Sequence, residues 1–202
     1  MLTKDTKGQG LIEMLIAIAI ILSAVVGGLS LMIASFNAEQ ESQRRTVAAN
    51  LAREAIEICK NYRDSAWVNR EDFDIWFRNA DLDYTAVPIF DEVEMRWTLD
   101  FLPDDISEDS TKVYQYGTGP LSSLMNSVDA HDAAEAGFRR MLTLNPICYD
   151  VFNDNEYMIG DGSTCDPDEL IGVKITAEIR WQDRAAVHTI NVEDRLYNWR
   201  WR

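Results

Sequence analysis

The stretch GQGLIEMLIAIAIILSAVVGGLSLMIASF, residues 8–36, decides how this chain is built. Glu13 is the only charged residue in it, and the 23 residues that follow, 14–36, carry no charge. An α-helix rises 1.5 Å per residue, so this run is about 35 Å long and can cross a hydrocarbon core of about 30 Å. The sequence therefore predicts a transmembrane helix with a carboxylate near its entrance.

Charged residues on either side of the apolar run predict its orientation. Lys4 and Lys7 lie on the N-terminal side, whereas the other side begins with Glu39 and Glu41. Basic residues favour the cytoplasmic side of a membrane. We therefore expect a single-pass protein of the cytoplasmic membrane, with its N-terminus in the cytoplasm and residues 37–202 outside. A cleaved secretory signal is the less favoured interpretation, because its apolar region would be shorter.

The residues at the start of the run resemble a known processing signal. KGQGLIEMLIAIAI, residues 7–20, is similar to the class III signal of type IV prepilins and type II secretion pseudopilins. That signal has a short basic leader, a glycine, and a glutamate as the fifth residue after the glycine. The segments AANLAREAIEICKNYRDSAW, residues 48–67, and VEDRLYNWRWR, residues 192–202, resemble minor pilins of the PilV or GspI kind.

This resemblance implies roles for three residues. A prepilin peptidase would cut between Gly8 and Gln9, and the new amino group at Gln9 would be N-methylated. A carboxylate at membrane depth costs about 2.5–3.5 kcal/mol. The amine at Gln9 would neutralise Glu13 of a neighbouring subunit, so both residues would serve in assembly and docking. The alternative is that Glu13 reaches the lipid headgroups in a plain signal anchor.

The resemblance also implies a domain organisation and partners. Residues 1–8 would be a leader peptide, 9–36 the transmembrane and filament-core helix, and 37–202 an extracytoplasmic globular domain that includes the second half of the helix, 37–67. The partners would be the prepilin peptidase, other pilin subunits in a helical filament, and an inner-membrane assembly machinery. The final location would be the cell surface or pilus.

The expected function is that of a structural minor pilin or pseudopilin, in a type IV pilus (a fimbrium) or a type II secretion-like pseudopilus. The alternative is an uncleaved, signal-anchored ectodomain with a binding or adhesive role. We do not expect an enzyme, because no phosphate-binding glycine loop or nucleophile elbow is visible in the sequence. Neither His131 nor His188 stands near a serine or cysteine in a recognisable catalytic arrangement.

Beyond the apolar run the sequence predicts that the helix continues to Trp67, without proline or glycine, for a total of about 55 residues. Apolar residues then recur at spacings of three and four, which is typical of a helix with one buried stripe. The stripe consists of Val47, Leu51, Ala55, Ile58 and Tyr62. We also expect Asn69 to cap a short helix over residues 70–79.

Alternation of apolar and polar residues predicts strands in the rest of the chain. The predicted strands are 92–101, 138–144, 171–181 and 186–192, the last two joined as a hairpin by a turn at 182–185. One long helix followed by antiparallel strands predicts an α+β domain, the pilin-like ladle that the resemblance also implies. Core packing is expected for Trp199 and Trp201, with a subunit contact as the alternative.

The net charge argues against one class of partner, and the positions of the cysteines predict one disulfide. The chain has 34 acidic and 19 basic residues and a net charge of -15, so we expect no binding to nucleic acid. Outside the cytoplasm Cys148 and Cys165 would close a loop of about 18 residues and stabilise the domain by about 3 kcal/mol. Cys59 falls on the apolar face of the helix, where we expect a buried, inert thiol.

Acidic residues offer two weak metal candidates, and no cofactor is expected. The first is a calcium site of oxygen ligands beside a turn at residues 160–162. Its candidates are Asp161, Asp166, Asp168 and Glu169. Their spacing is not that of an EF-hand, and a solvated acidic turn is the favoured interpretation. The second candidate, formed by Asp129, His131 and Asp132, equally fits the polar face of a solvated helix.

Overall fold

The computed structural model describes residues 9–77, 84–91, 96–101, 103–116, 123–126, 134–159, 165, 170–183 and 186–199. The chain divides into two compact units, Met1–Arg45 and Thr46–Arg202. One helix, α1 (Gln9–Asn69, 61 residues), forms the described part of the first unit and the first residues of the second. All described strands belong to the second unit.

The long helix predicted from the sequence is confirmed, and it ends two residues beyond the expected Trp67. Arg70 has a φ of 61°, the left-handed conformation that stops a helix. Its N–H donates to the Trp67 carbonyl at 3.3 Å, and the N–H of Glu71 donates to the Ala66 carbonyl at 2.9 Å. This pair of hydrogen bonds is a Schellman motif, which satisfies carbonyls that the helix end leaves without partners.

The prediction of a short helix over residues 70–79 is wrong for the residues that the structure describes. Residue 70 and residues 73–77 form turns, residues 71 and 72 have no regular secondary structure, and residues 78 and 79 lie outside the described part. The Schellman motif breaks the backbone direction at Arg70, so Asn69 closes α1 and caps no new helix. Phe73, Trp76 and Phe77 then fold into the core, where they are 6%, 7% and 2% exposed.

Within the described residues of the second unit, eight strands form one sheet. They are β1 (Thr85–Asp91), β2 (Arg96–Asp100), β3 (Lys112–Tyr116), β4 (Ser123–Asn126), β5 (Ala134–Asp150), β6 (Asn155–Met158), β7 (Leu170–Asp183) and β8 (Ala186–Tyr197). Their order is β2-β1-β4-β3-β5-β7-β8, with β6 paired to the end of β5 and β1 also touching β5. With α1, this sheet makes an α+β fold.

The sheet is mixed, which corrects the expected antiparallel sheet. Strands β1 and β4 pair in parallel, with Ile89 opposite Asn126, whereas the other pairings among described strands are antiparallel. Parallel neighbours need a long connection between them. Here β2 and β3 lie between β1 and β4 in the chain and provide it.

Three of the four predicted strands are confirmed over their whole length. β5, β7 and β8 contain the stretches 138–144, 171–181 and 186–192, and β7 and β8 pair as the expected hairpin. The predicted strand 92–101 is present as β2, although residues 92–95 lie outside the described part. Of the predicted turn 182–185, residues 182 and 183 belong to β7, and residues 184 and 185 lie outside the described part.

The core lies between the last part of α1 and the sheet. It joins small and apolar residues of α1, among them Ala48, Ala52, Ala55 and Cys59, each 0% exposed, to the inward residues of β7. Those inward residues are Val173, Ile175, Ala177 and Ile179. Trp199 corrects an expectation, because it is 66% exposed; its ring makes an edge-to-face contact with Trp67, with 5.1 Å between ring centres. Trp201 lies outside the described residues.

Candidate functional site

The apolar part of α1 in the first unit is exposed on every side. Between Leu11 and Phe36 the large apolar side chains are 41% to 75% exposed. None of the most apolar window of this helix is buried, unlike a core helix of a soluble protein. By its length and composition α1 can cross a membrane.

Two of the three serine hydroxyl groups in this apolar part, those of Ser23 and Ser30, are satisfied within the helix; the third belongs to Ser35. Ser23 Oγ donates to the carbonyl of Ala19 at 2.8 Å, and Ser30 Oγ donates to the carbonyl of Val26 at 2.9 Å. Each of these carbonyls lies one turn earlier. Polar groups in lipid must find partners inside the protein. Ser23 and Ser30 therefore do not oppose placement of this surface in an apolar environment.

Glu13 is the exception on this surface. Residues four apart lie on the same face of a helix, so Glu13 shares a face with Gln9, the first residue of α1. Glu13 is exposed, and within the described part of the chain it has no ion pair or hydrogen bond. The sequence continues without charge to Glu39, so Glu13 is a lone acid at one end of a long apolar surface. Gly8 lies outside the described residues.

A buried arginine, which the sequence analysis missed, connects α1 to the sheet. The side chain of Arg140 in β5 is 0% exposed. Its Nη1 lies 2.6 Å from Glu54 Oε2 of α1, and its Nε donates to Asn126 Oδ1 of β4 at 2.7 Å. Its Nη1 and Nη2 lie 3.5 Å from the carbonyls of Leu51 and Pro88. Burial lowers the pKa of Arg140, and the charge of Glu54 opposes that effect.

The cysteines fall where the sequence places them. Cys148 and Cys165 form a disulfide with 5.8 Å between their Cα atoms. Cys59 is a free thiol with 0% exposure, and burial raises its pKa to about 12. A thiol with such a pKa is almost entirely protonated at neutral pH and is a poor nucleophile.

The weak metal candidates fall outside the described residues. This applies to Asp161, Asp166, Asp168 and Glu169, and equally to Asp129, His131 and Asp132. Among the residues that are described, no group of three His, Cys, Asp or Glu side chains is placed to hold a metal ion. His188 stacks on Trp181 with 5.3 Å between ring centres, on one face of the β7–β8 hairpin.

Comparison with protein-family models, with curated proteins and with solved structures found no match for this chain. The resemblance to prepilins therefore rests on the residues quoted for it, above all residues 7–20. Its consequences for processing, partners and assembly are taken up as proposals.

Proposed function

We propose that this chain is a minor pilin or pseudopilin, a structural subunit of a helical filament. The observation that carries the proposal is the composition of α1 along its 61 residues. Its first part is apolar and exposed, with one acid, whereas the residues from Ala48 to Cys59 pack into the core of the sheet domain. A subunit held first in a membrane and later in a filament needs both parts.

The exposed apolar surface requires a covering. Exposed apolar patches larger than a few hundred Å² are rare on soluble monomers and mark protein or membrane contacts. Lipid would cover the surface before assembly, and the helices of other subunits would cover it afterwards. Gly27 and Gly28 have open space around them, and small residues let neighbouring helices approach closely in membranes.

The lone carboxylate of Glu13 supports a docking role. A charge in an apolar environment is costly unless it is paired. Cleavage after Gly8 would create a cationic, N-methylated amine at Gln9. That amine would pair with Glu13 of the next subunit and fix its position in the filament. A prepilin peptidase and an inner-membrane assembly machinery are the partners that this route requires.

The first test is the N-terminus of the chain in cells that contain an active prepilin peptidase. Intact-mass and N-terminal sequencing should show a chain that begins at Gln9 with a methylated amine. Gly8→Val should leave the precursor uncut, and Gly10→Val should be a control that is still processed. A parent chain that still begins at Met1 would refute the proposal and leave the uncleaved, signal-anchored ectodomain as the function.

The second test is the substitution Glu13→Ala. Loss of a pairing worth about 2.5–3.5 kcal/mol should reduce the amount of the chain in purified filaments by at least about tenfold. The amount in the membrane fraction should not change, because removal of a charge favours insertion. Glu39→Ala is the matched control, since it removes another exposed acid of α1 and should leave incorporation unchanged. Equal incorporation of both variants would contradict the docking role.

A further inference from the structure

We draw no further inference here: the strongest candidate, the outer edge of strand β8 (Ala186–Tyr197) at the end of the sheet, would accept a further strand, but nothing in the structure shows which strand covers it.

Discussion

Arg140 shows how one residue can connect several elements. Its guanidinium contacts Glu54 of α1, Asn126 of β4 and the Pro88 carbonyl of β1, and lies 6.0 Å from the Trp97 ring of β2. A buried charge is tolerated only when its donors find partners. Arg140 therefore fixes the position of α1 on the sheet more specifically than apolar contacts alone do.

Removal of the acidic partner should reveal this connection. Glu54→Gln leaves Arg140 buried among neutral groups, so we expect the free energy of unfolding to fall by about 1–3 kcal/mol. Glu57→Gln is the matched control: Glu57 is 68% exposed and pairs with Lys60 on the surface, and it should change stability by less than about 0.5 kcal/mol. Denaturant titration of the full chain in micelles, followed by tryptophan fluorescence, measures both. Equal losses would contradict the role of Arg140.

The sequence contains a signal for Arg140 that is easily misinterpreted. In β5, Phe138, Leu142 and Leu144 share the buried face, and alternation puts Arg140 on that face too. An arginine in the apolar phase of a strand indicates a buried charge. Its partner cannot be found in the same way, because Glu54 lies 86 residues earlier and only the fold brings the two together.

At the scale of the elements, small residues let α1 lie close to the sheet. Ala48, Ala52 and Ala55 are each 0% exposed and join the core cluster that contains the inward residues of β7. A larger side chain at one of these positions would find no room, because protein cores are packed as densely as organic crystals.

Enlargement of one of these alanines should disrupt the packing. Ala52→Leu should lower the free energy of unfolding by about 1–3 kcal/mol, because the added methyl groups have no space. Arg53→Leu introduces the same side chain at the next position, which is exposed, and should cost less than about 0.5 kcal/mol. Thermal unfolding of both variants in micelles provides the comparison. A stable Ala52→Leu chain would show that α1 does not pack closely there.

The turn of residues 150–154, between β5 and β6, should be sensitive to pH through Asp150. Donation from the Asn153 side chain, and then from the Phe152 and Asn153 N–H groups, holds the pKa of Asp150 below its usual value. A lowered pKa in the folded state means that the stabilisation is present above about pH 4 and is lost as the pH falls through the folded-state value.

Hydrogen exchange at the Phe152 and Asn153 amides measures this effect. We expect Asp150→Ala to remove their protection at neutral pH and parent protein to lose it in acid, after correction for intrinsic rates. Asp64→Ala, on α1, should leave these two amides unchanged. Equal protection in Asp150→Ala and in the parent would show that the carboxylate does not order the turn.

Length accounts for most of the elements that could be predicted; β2, with five described residues and a regular apolar–polar alternation, is the exception. α1, β5, β7 and β8 are long, so their patterns repeat often enough to be recognised. β1, β3, β4 and β6 have four to seven residues each, which is too few for a periodic signal. The end of α1 was missed for another reason. Glycine usually occupies the left-handed position of a Schellman motif, and here Arg70 does.

For the whole molecule, the disulfide between Cys148 and Cys165 reports the compartment of the sheet domain. Disulfides persist outside the reducing cytoplasm. Thiol labelling of the denatured chain from cells should therefore modify one cysteine, Cys59, before reduction and all three afterwards. Three labels before reduction would place the domain in the cytoplasm and contradict the predicted orientation.

The same bond should also stabilise the domain. Replacement of both cysteines by serine should lower the free energy of unfolding by about 3 kcal/mol, the value expected for a loop of this length. Cys59→Ser is the control for loss of a thiol without loss of a cross-link. Because Cys59 is buried, its replacement reports only the cost of a hydroxyl in the core.

Some features of the candidate functional surfaces could be predicted from the sequence, and others could not. The apolar run and the lone Glu13 follow directly from composition, because a membrane span is a property of neighbouring residues. The left-handed conformation of Gly137 in β5 and the exposed ring of Phe152 could not be predicted. Both depend on the register of β5 against strands that lie far from it in the chain.

The distance in sequence between α1 and β7 has a consequence for synthesis of the chain. The buried face of α1 is complete when Ala66 is made, but the core residues that cover it end at Leu196. At 5–20 residues per second, the ribosome needs roughly 7–26 s to synthesise the residues between these two positions. During that time the apolar face of α1 is uncovered in the nascent chain. A chaperone or the translocation channel has to shield it until the β7–β8 hairpin has been synthesised.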